Sequence, residues 1–158
     1  MIRKIKREPL PGDIVVVDRK YYKHYGIYIG SNLVIHFGAE KGHELNPSRA
    51  KVIKTSLKKF QKGDPLWVEE SDEYNAFDSD IVIALAKARL GKRGYNILTN
   101  NCEHFANECK YGVKRSRQVE IVIKEAGKVA CVAIIVFASG SPIGRILVHR
   151  NIYKAVVA

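Results

Sequence analysis

Residues 24–37 read His24-Tyr-Gly-Ile-Tyr-Ile-Gly30-Ser31-Asn32-Leu33-Val-Ile-His-Phe37. Two β-branched and aromatic runs flank Gly30-Ser31-Asn32, the pattern of two short strands joined as a hairpin. Side chains alternate across a strand, so His24, Gly26 and Tyr28 share one face while Tyr25, Ile27 and Ile29 share the other. On the partner strand Val34 and His36 lie together. Two histidines thus fall within one hairpin, and its register decides whether they meet.

Upstream, Asp13-Ile-Val-Val-Val-Asp18 follows the turn residues Pro11-Gly12 and reads as a buried strand. Downstream, residues 51–57 (Lys-Val-Ile-Lys-Thr-Ser-Leu) offer one further strand, and residues 65–69 (Pro-Leu-Trp-Val-Glu) a better one. These predict a sheet of four or five strands. Beyond it, Ile81, Leu85 and Ala88 recur at helical spacing after Asp78-Ser79-Asp80, and Gly91 can end a helix over residues 81–90. Polar residues before Cys102 supply cap candidates for a second, short helix that ends near Gly112, with Cys102 in its first turn.

The 158-residue length predicts one domain around a single core. With 46% hydrophobic and 27% charged residues, neither a disordered chain nor an integral membrane bundle is expected. A net charge of +11 draws in anionic lipid surfaces, nucleic acid or acidic substrates without choosing among them. The basic residues gather at Arg3, Lys4, Lys6 and Arg7 and again at Lys110, Lys114, Arg115, Arg117, Lys124 and Lys128. They form either a solvated surface or a patch for an anionic membrane. A nucleic-acid partner is not expected, because no binding motif or repeated basic-aromatic stripe is present.

Cys102, Cys109 and Cys131 are an odd number without paired spacing, which speaks against a disulfide framework and for a reducing compartment. Neither C-x-x-C nor H-x-x-x-H occurs, so no zinc is expected. The N-terminal residues lack an apolar core before Pro9 and Pro11, unlike a secretory signal, and a cytoplasmic protein is inferred. Residues 129–138 are wholly apolar, but the uncharged stretch between Lys128 and Arg145 is shorter than the ~20 apolar residues of a spanning helix, and Pro142 and Gly144 interrupt its end. A buried or interfacial segment is expected there.

A thiol attacks well only as thiolate, and the partial positive charge and free N–H groups of a helix N-terminus favour that anion at Cys102. Those N–H groups could also stabilise an oxyanion. Either His24 or His36 could take the thiol proton near neutrality, and a second histidine on the neighbouring strand could orient the first. Against this stand the plainer roles of a small buried cysteine and of hydrogen-bonded structural histidines. Cys109, late in its helix, and Cys131, in the apolar run, are expected to be inert. His104 points to another side of the helix, and His43 and His149 carry no motif.

Pro11-Gly-Asp-Ile14, His24-Tyr-Gly-Ile-Tyr-Ile-Gly30, Val34-Ile-His36 and above all Tyr95-Asn-Ile-Leu-Thr-Asn-Asn-Cys-Glu-His-Phe105 resemble the lecithin retinol acyltransferase family. The likeness covers roughly residues 10–112, with the histidine strand first and the cysteine helix later. It implies a permuted papain-like α+β fold, in which a small antiparallel sheet packs with the cysteine-bearing helix. Residues 1–118 would be the catalytic domain and 119–158 a basic and apolar helical segment, peripheral or tail-anchored at an anionic membrane. The resemblance further implies that Cys102 is the nucleophile, His24 the base and His36 the orienting residue, with no cofactor and no metal. The cysteine would take an acyl chain from a phospholipid as a thioester. Water as acceptor makes a phospholipase A; an amine, a lysophospholipid or an alcohol makes an acyltransferase. Two departures are visible: Tyr25 stands where animal members carry Trp, and residues 129–144 are a weaker counterpart of their membrane anchor. The alternatives are a cysteine peptidase or amidase on the same scaffold, and a non-catalytic module that binds membranes or a protein.

Overall fold

Strands β1 (Ile2–Ile5), β2 (Ile14–Asp18), β3 (Lys23–Tyr28), β4 (Leu33–Gly38), β5 (Lys51–Ser56) and β6 (Leu66–Ser71) form one antiparallel sheet in the order β1-β6-β2-β3-β4-β5. The helices are α1 (Leu57–Gln61), α2 (Ser79–Ala88), α3 (Cys102–Tyr111) and α4 (Arg117–Ala138). This computed structural model describes residues 1–20, 22–38, 49–96 and 100–138, the side chains of 128–138 excepted. The chain is therefore an α+β protein, with six strands among the described residues rather than four or five. The added strand is β1, whose Ile-Arg-Lys-Ile is too short and too basic to announce itself; it pairs along the β6 edge from Ile2↔Ser71 to Ile5↔Val68. The single-turn α1 was not expected either. His43 and His149, the side chain of Cys131 and the uncharged end at residues 139–144 lie outside the described residues.

The chain divides into two compact units, residues 1–116 and 117–158. In the second unit, α4 carries exposed Ile121 and Ile123. Among the described residues, no helix is long and apolar enough to cross a membrane.

In the first unit β2 is central, and Ile14, Val15, Val16 and Val17 are all fully buried. Both faces of the strand are covered. Ile14 and Val16 join Tyr25, Ile27, Ile35, Phe37 and the inward residues of α2 and α3, while Val15 and Val17 join Tyr28, Val34 and Phe60 of α1. A continuous β-branched run is what a strand covered on both faces requires, and each such side chain contributes about 1.5–3 kcal/mol by burial. On α2 the buried residues are Val82 and Ala86, whereas Ile81 is exposed. The inward face thus lies one residue beyond the stripe read from Ile81, because the run Ile-Val-Ile-Ala-Leu-Ala is apolar almost all round. At the N-terminus, Arg3 pairs with Asp72, Lys4 with Asp18, and Arg7 with Asp13 and Glu70. That basic cluster neutralises carboxylates of its own unit.

Candidate active site

The β3–β4 hairpin turns through Gly30, Ser31 and Asn32, all with positive φ, and closes with Ile29 N–H on the Leu33 carbonyl. Its ladder is short: Ile27 pairs with Ile35 and Tyr28 with Val34, and there the register ends although both strands continue. Continued one and three steps further, it would set Gly26 opposite His36 and Gly38 opposite His24. The histidines are diagonal neighbours, and glycines occupy the other two corners.

Those glycines make room for the imidazoles. A Cβ on Gly26 would lie 3.2 Å from His36 Cβ and 2.5 Å from Val34 Cγ1; one on Gly38 would lie 2.8 Å from His36 Cε1. His24 Nε2 comes within 3.0 Å of His36 Nδ1. The same Nδ1 is 2.8 Å from the Phe37 carbonyl, and His36 Nε2 is 3.0 Å from Thr55 Oγ1 on β5. Phe60 stacks on His24 at 4.9 Å between centroids and 29° between planes, and meets His36 at 5.1 Å. Tyr22 stands edge-on to His24 at 6.2 Å.

Beyond the Ile27↔Ile35 pair, α3 presents Cys102 to the backbone of residues 23–25. The Cys102 thiol donates to the Lys23 carbonyl across 3.7 Å, and the Tyr25 N–H is directed to the sulfur. Cys102 therefore touches the backbone on both sides of His24. It is the first residue of α3, whose N-cap Asn101 accepts from the N–H groups of Glu103 and His104 while His104 Nδ1 accepts from Asn101 N–H. This reciprocal cap fixes the first turn and gives His104 a structural role. Ser116 ties it further, donating to Glu103 Oε2 at 2.6 Å and accepting from Asn101 Nδ2 at 3.1 Å. Gly112, in the left-handed conformation, ends the helix.

Burial sets the protonation states. It pushes the Cys102 thiol up to about 11, although backbone N–H groups of Tyr25, Cys102 and Glu103 pull the other way. Burial also lowers both imidazoles, with nearby Arg19 and Lys62 adding to it: His36 falls to about 4 and His24 well below its ordinary value. At neutral pH the site rests as a thiol beside two neutral imidazoles. Cys109 is buried near Arg89, its thiol pushed up to about 12 by desolvation. Among the described residues, no group of three or more His, Cys, Asp or Glu side chains is placed to hold a metal ion.

The three residues singled out from sequence, Cys102, His24 and His36, thus lie in one locality of the first unit. Thr55, Phe60, Tyr22 and Gly38 complete it and were not anticipated. Gly38, closing the run Val-Ile-His-Phe-Gly, was the one available signal, since a glycine in a strand marks close approach of another group.

Comparison with known proteins gives concordant results. The family model described as lecithin retinol acyltransferase matches residues 7–115. Human phospholipase A and acyltransferase 4 is 32% identical over 147 residues, covering 85% of this chain and 90% of the relative. Human phospholipase A and acyltransferase 3 is 34% identical, covering 73% and 79%, and human phospholipase A and acyltransferase 2 is 30% identical, covering 90% and 93%.

Proposed function

Given that this chain belongs to the lecithin retinol acyltransferase family and is an enzyme of the acyltransferase and phospholipase kind, we propose that Cys102 carries the acyl group, His24 moves the proton and His36 orients His24. The observation that carries this reading is the placement of the Cys102 sulfur against the backbone flanking His24, while His24 Nε2 is engaged by His36. His24 Nδ1 is then the ring nitrogen left for the thiol.

In the forward step His24 Nδ1 removes the thiol proton, and the sulfur attacks the carbonyl carbon of a phospholipid ester. The N–H of Cys102 itself, at the start of α3 and outside the Asn101 cap, stabilises the oxyanion together with the positive end of the helix. The tetrahedral intermediate collapses by breaking the bond to the ester oxygen, which leaves as a lysophospholipid after accepting the proton from His24. The acceptor then attacks the thioester while His24 takes its proton, and the sulfur departs as thiolate and is reprotonated. Water completes hydrolysis; an amine, a lysophospholipid or an alcohol completes transfer. The second unit, with exposed Ile121 and Ile123 beside Lys124, would hold the enzyme at an anionic membrane surface.

The test is the intact mass of the protein after incubation with mixed phosphatidylcholine and phosphatidylethanolamine vesicles. A fatty-acyl adduct on the native protein, absent in Cys102→Ala and released by hydroxylamine, is expected. No adduct, with neither free fatty acid nor acylated product formed, would overturn the reading.

A further inference from the structure

His36 is held at both ring nitrogens by groups that want different tautomers. The Phe37 carbonyl, 2.8 Å from Nδ1, can only accept, so it favours the proton on Nδ1. His24 Nε2, 3.0 Å from that same Nδ1, can either donate or accept. Thr55 Oγ1, 3.0 Å from Nε2, can also do either. Thr55 pairs with Val34 and Ile53 with His36 across the β4–β5 ladder, so Thr55 shares the face of His36.

The proposed chemistry needs one of these states. For His24 to accept the thiol proton at Nδ1, its own proton must sit on Nε2 and be donated to His36. That demands a bare Nδ1 on His36 and therefore a proton on its Nε2, where Thr55 Oγ1 stands ready to accept it. With the other tautomer, His36 Nδ1–H would donate to Phe37 and His24, the His24 proton would lie on Nδ1, and no lone pair would face the thiol.

We propose that Thr55 is a positioning residue of this reaction, its hydroxyl accepting from His36 Nε2–H and so holding the His36–His24 pair in the tautomer able to deprotonate Cys102. This rests on the roles given to Cys102 and His24 above. The partner at one ring nitrogen decides which nitrogen carries the proton, and a buried Nε2–H without an acceptor is costly.

Long-range proton–nitrogen NMR on histidine-labelled protein reads the tautomer directly, with no substrate present. The native protein is expected to show His36 protonated at Nε2. Thr55→Val keeps the shape and β-branching of the side chain and should move the proton to Nδ1, lowering kcat on phospholipid vesicles by at least about tenfold with KM nearly unchanged. Thr55→Ser should restore both the tautomer and the rate. His36 protonated at Nδ1 in the native protein overturns the proposal even if Thr55→Val fails to fold. Equally decisive against it is a folded Thr55→Val whose kcat stays within about twofold of native with the tautomer unchanged. Absence of a Cys102 thioester would instead sink the mechanism while leaving the tautomer measurement standing.

Discussion

Gly38 and His36 are in such close contact that a methyl group on Gly38 would lie 2.8 Å from His36 Cε1, and 2.6 Å from Ile53 Cδ1 on β5. The Ile53 atom can swing away, but the imidazole is held at both nitrogens. Gly38→Ala should therefore displace the His36 ring. Activity should fall at least about tenfold, and overpacking should cost about 1–3 kcal/mol of stability. Initial rates and denaturant midpoints check this; a variant with native rate would show that the ring does not need that space.

Phe60 offers a second, separable test, because it packs against both imidazoles and its side chain has no N–H, O–H or carbonyl group to exchange protons with them. It is 1% exposed and stacks on His24 at 4.9 Å. Phe60→Ala should cost about 3–5 kcal/mol through lost burial and the cavity left behind. Phe60→Leu should fold while admitting water beside the imidazoles, whose depression comes first from desolvation. Its acid limb in the pH–rate profile should then move upward, toward the ordinary histidine value. An unmoved limb with a lower melting temperature would make Phe60 a packing residue alone.

Much of this was legible in the sequence, for reasons tied to particular residues. The run Ile14–Val17 announced a buried strand, and the polar residues before Cys102 announced a helix start. What stayed hidden was everything set by register. Period-two alternation placed His24 with Gly26 and Val34 with His36, yet it does not say that the ladder stops after Ile27↔Ile35 or that the histidines meet on the diagonal. Thr55 is an ordinary strand residue until the β4–β5 pairing sets it on the face of His36. The five-residue α1 is too short to show helical periodicity, so Phe60 could not be assigned to the site.

Stability should fall in mild acid because both buried imidazoles resist protonation, and His36 is the one whose share can be sized. Its folded-state value of about 4 lies below the ordinary 6.5, so between these limits the unfolded chain binds the proton more readily, and stability is lost as pH falls from about 6.5 toward 4. The gap corresponds to roughly 3 kcal/mol, fully present above pH 6.5. Denaturant unfolding at pH 7.5, 6.0, 5.0 and 4.5 should show this loss, and His36→Gln should make the profile shallower, leaving the share due to the similarly depressed His24, whatever its stability at neutrality. Parallel profiles for the two proteins would exclude His36 as the source.

The free enzyme should also lack a preformed thiolate. With the Cys102 thiol pushed up to about 11 by burial and His24 held neutral, the thiolate is a minor species near neutral pH. Iodoacetamide alkylation of the Cys102 peptide, followed by mass so that Cys109 is counted apart, should therefore be slow near neutrality. Its rate should rise about tenfold for each pH unit well past the ordinary cysteine value near 8.5, up to the pH at which the fold itself gives way. The activating event would then be proton transfer to His24 with the ester in place, as general base catalysis requires. A rate that levels off below pH 8 would instead mean that thiolate and imidazolium already stand paired in the free enzyme, so that burial is outweighed by the N–H groups at the start of α3.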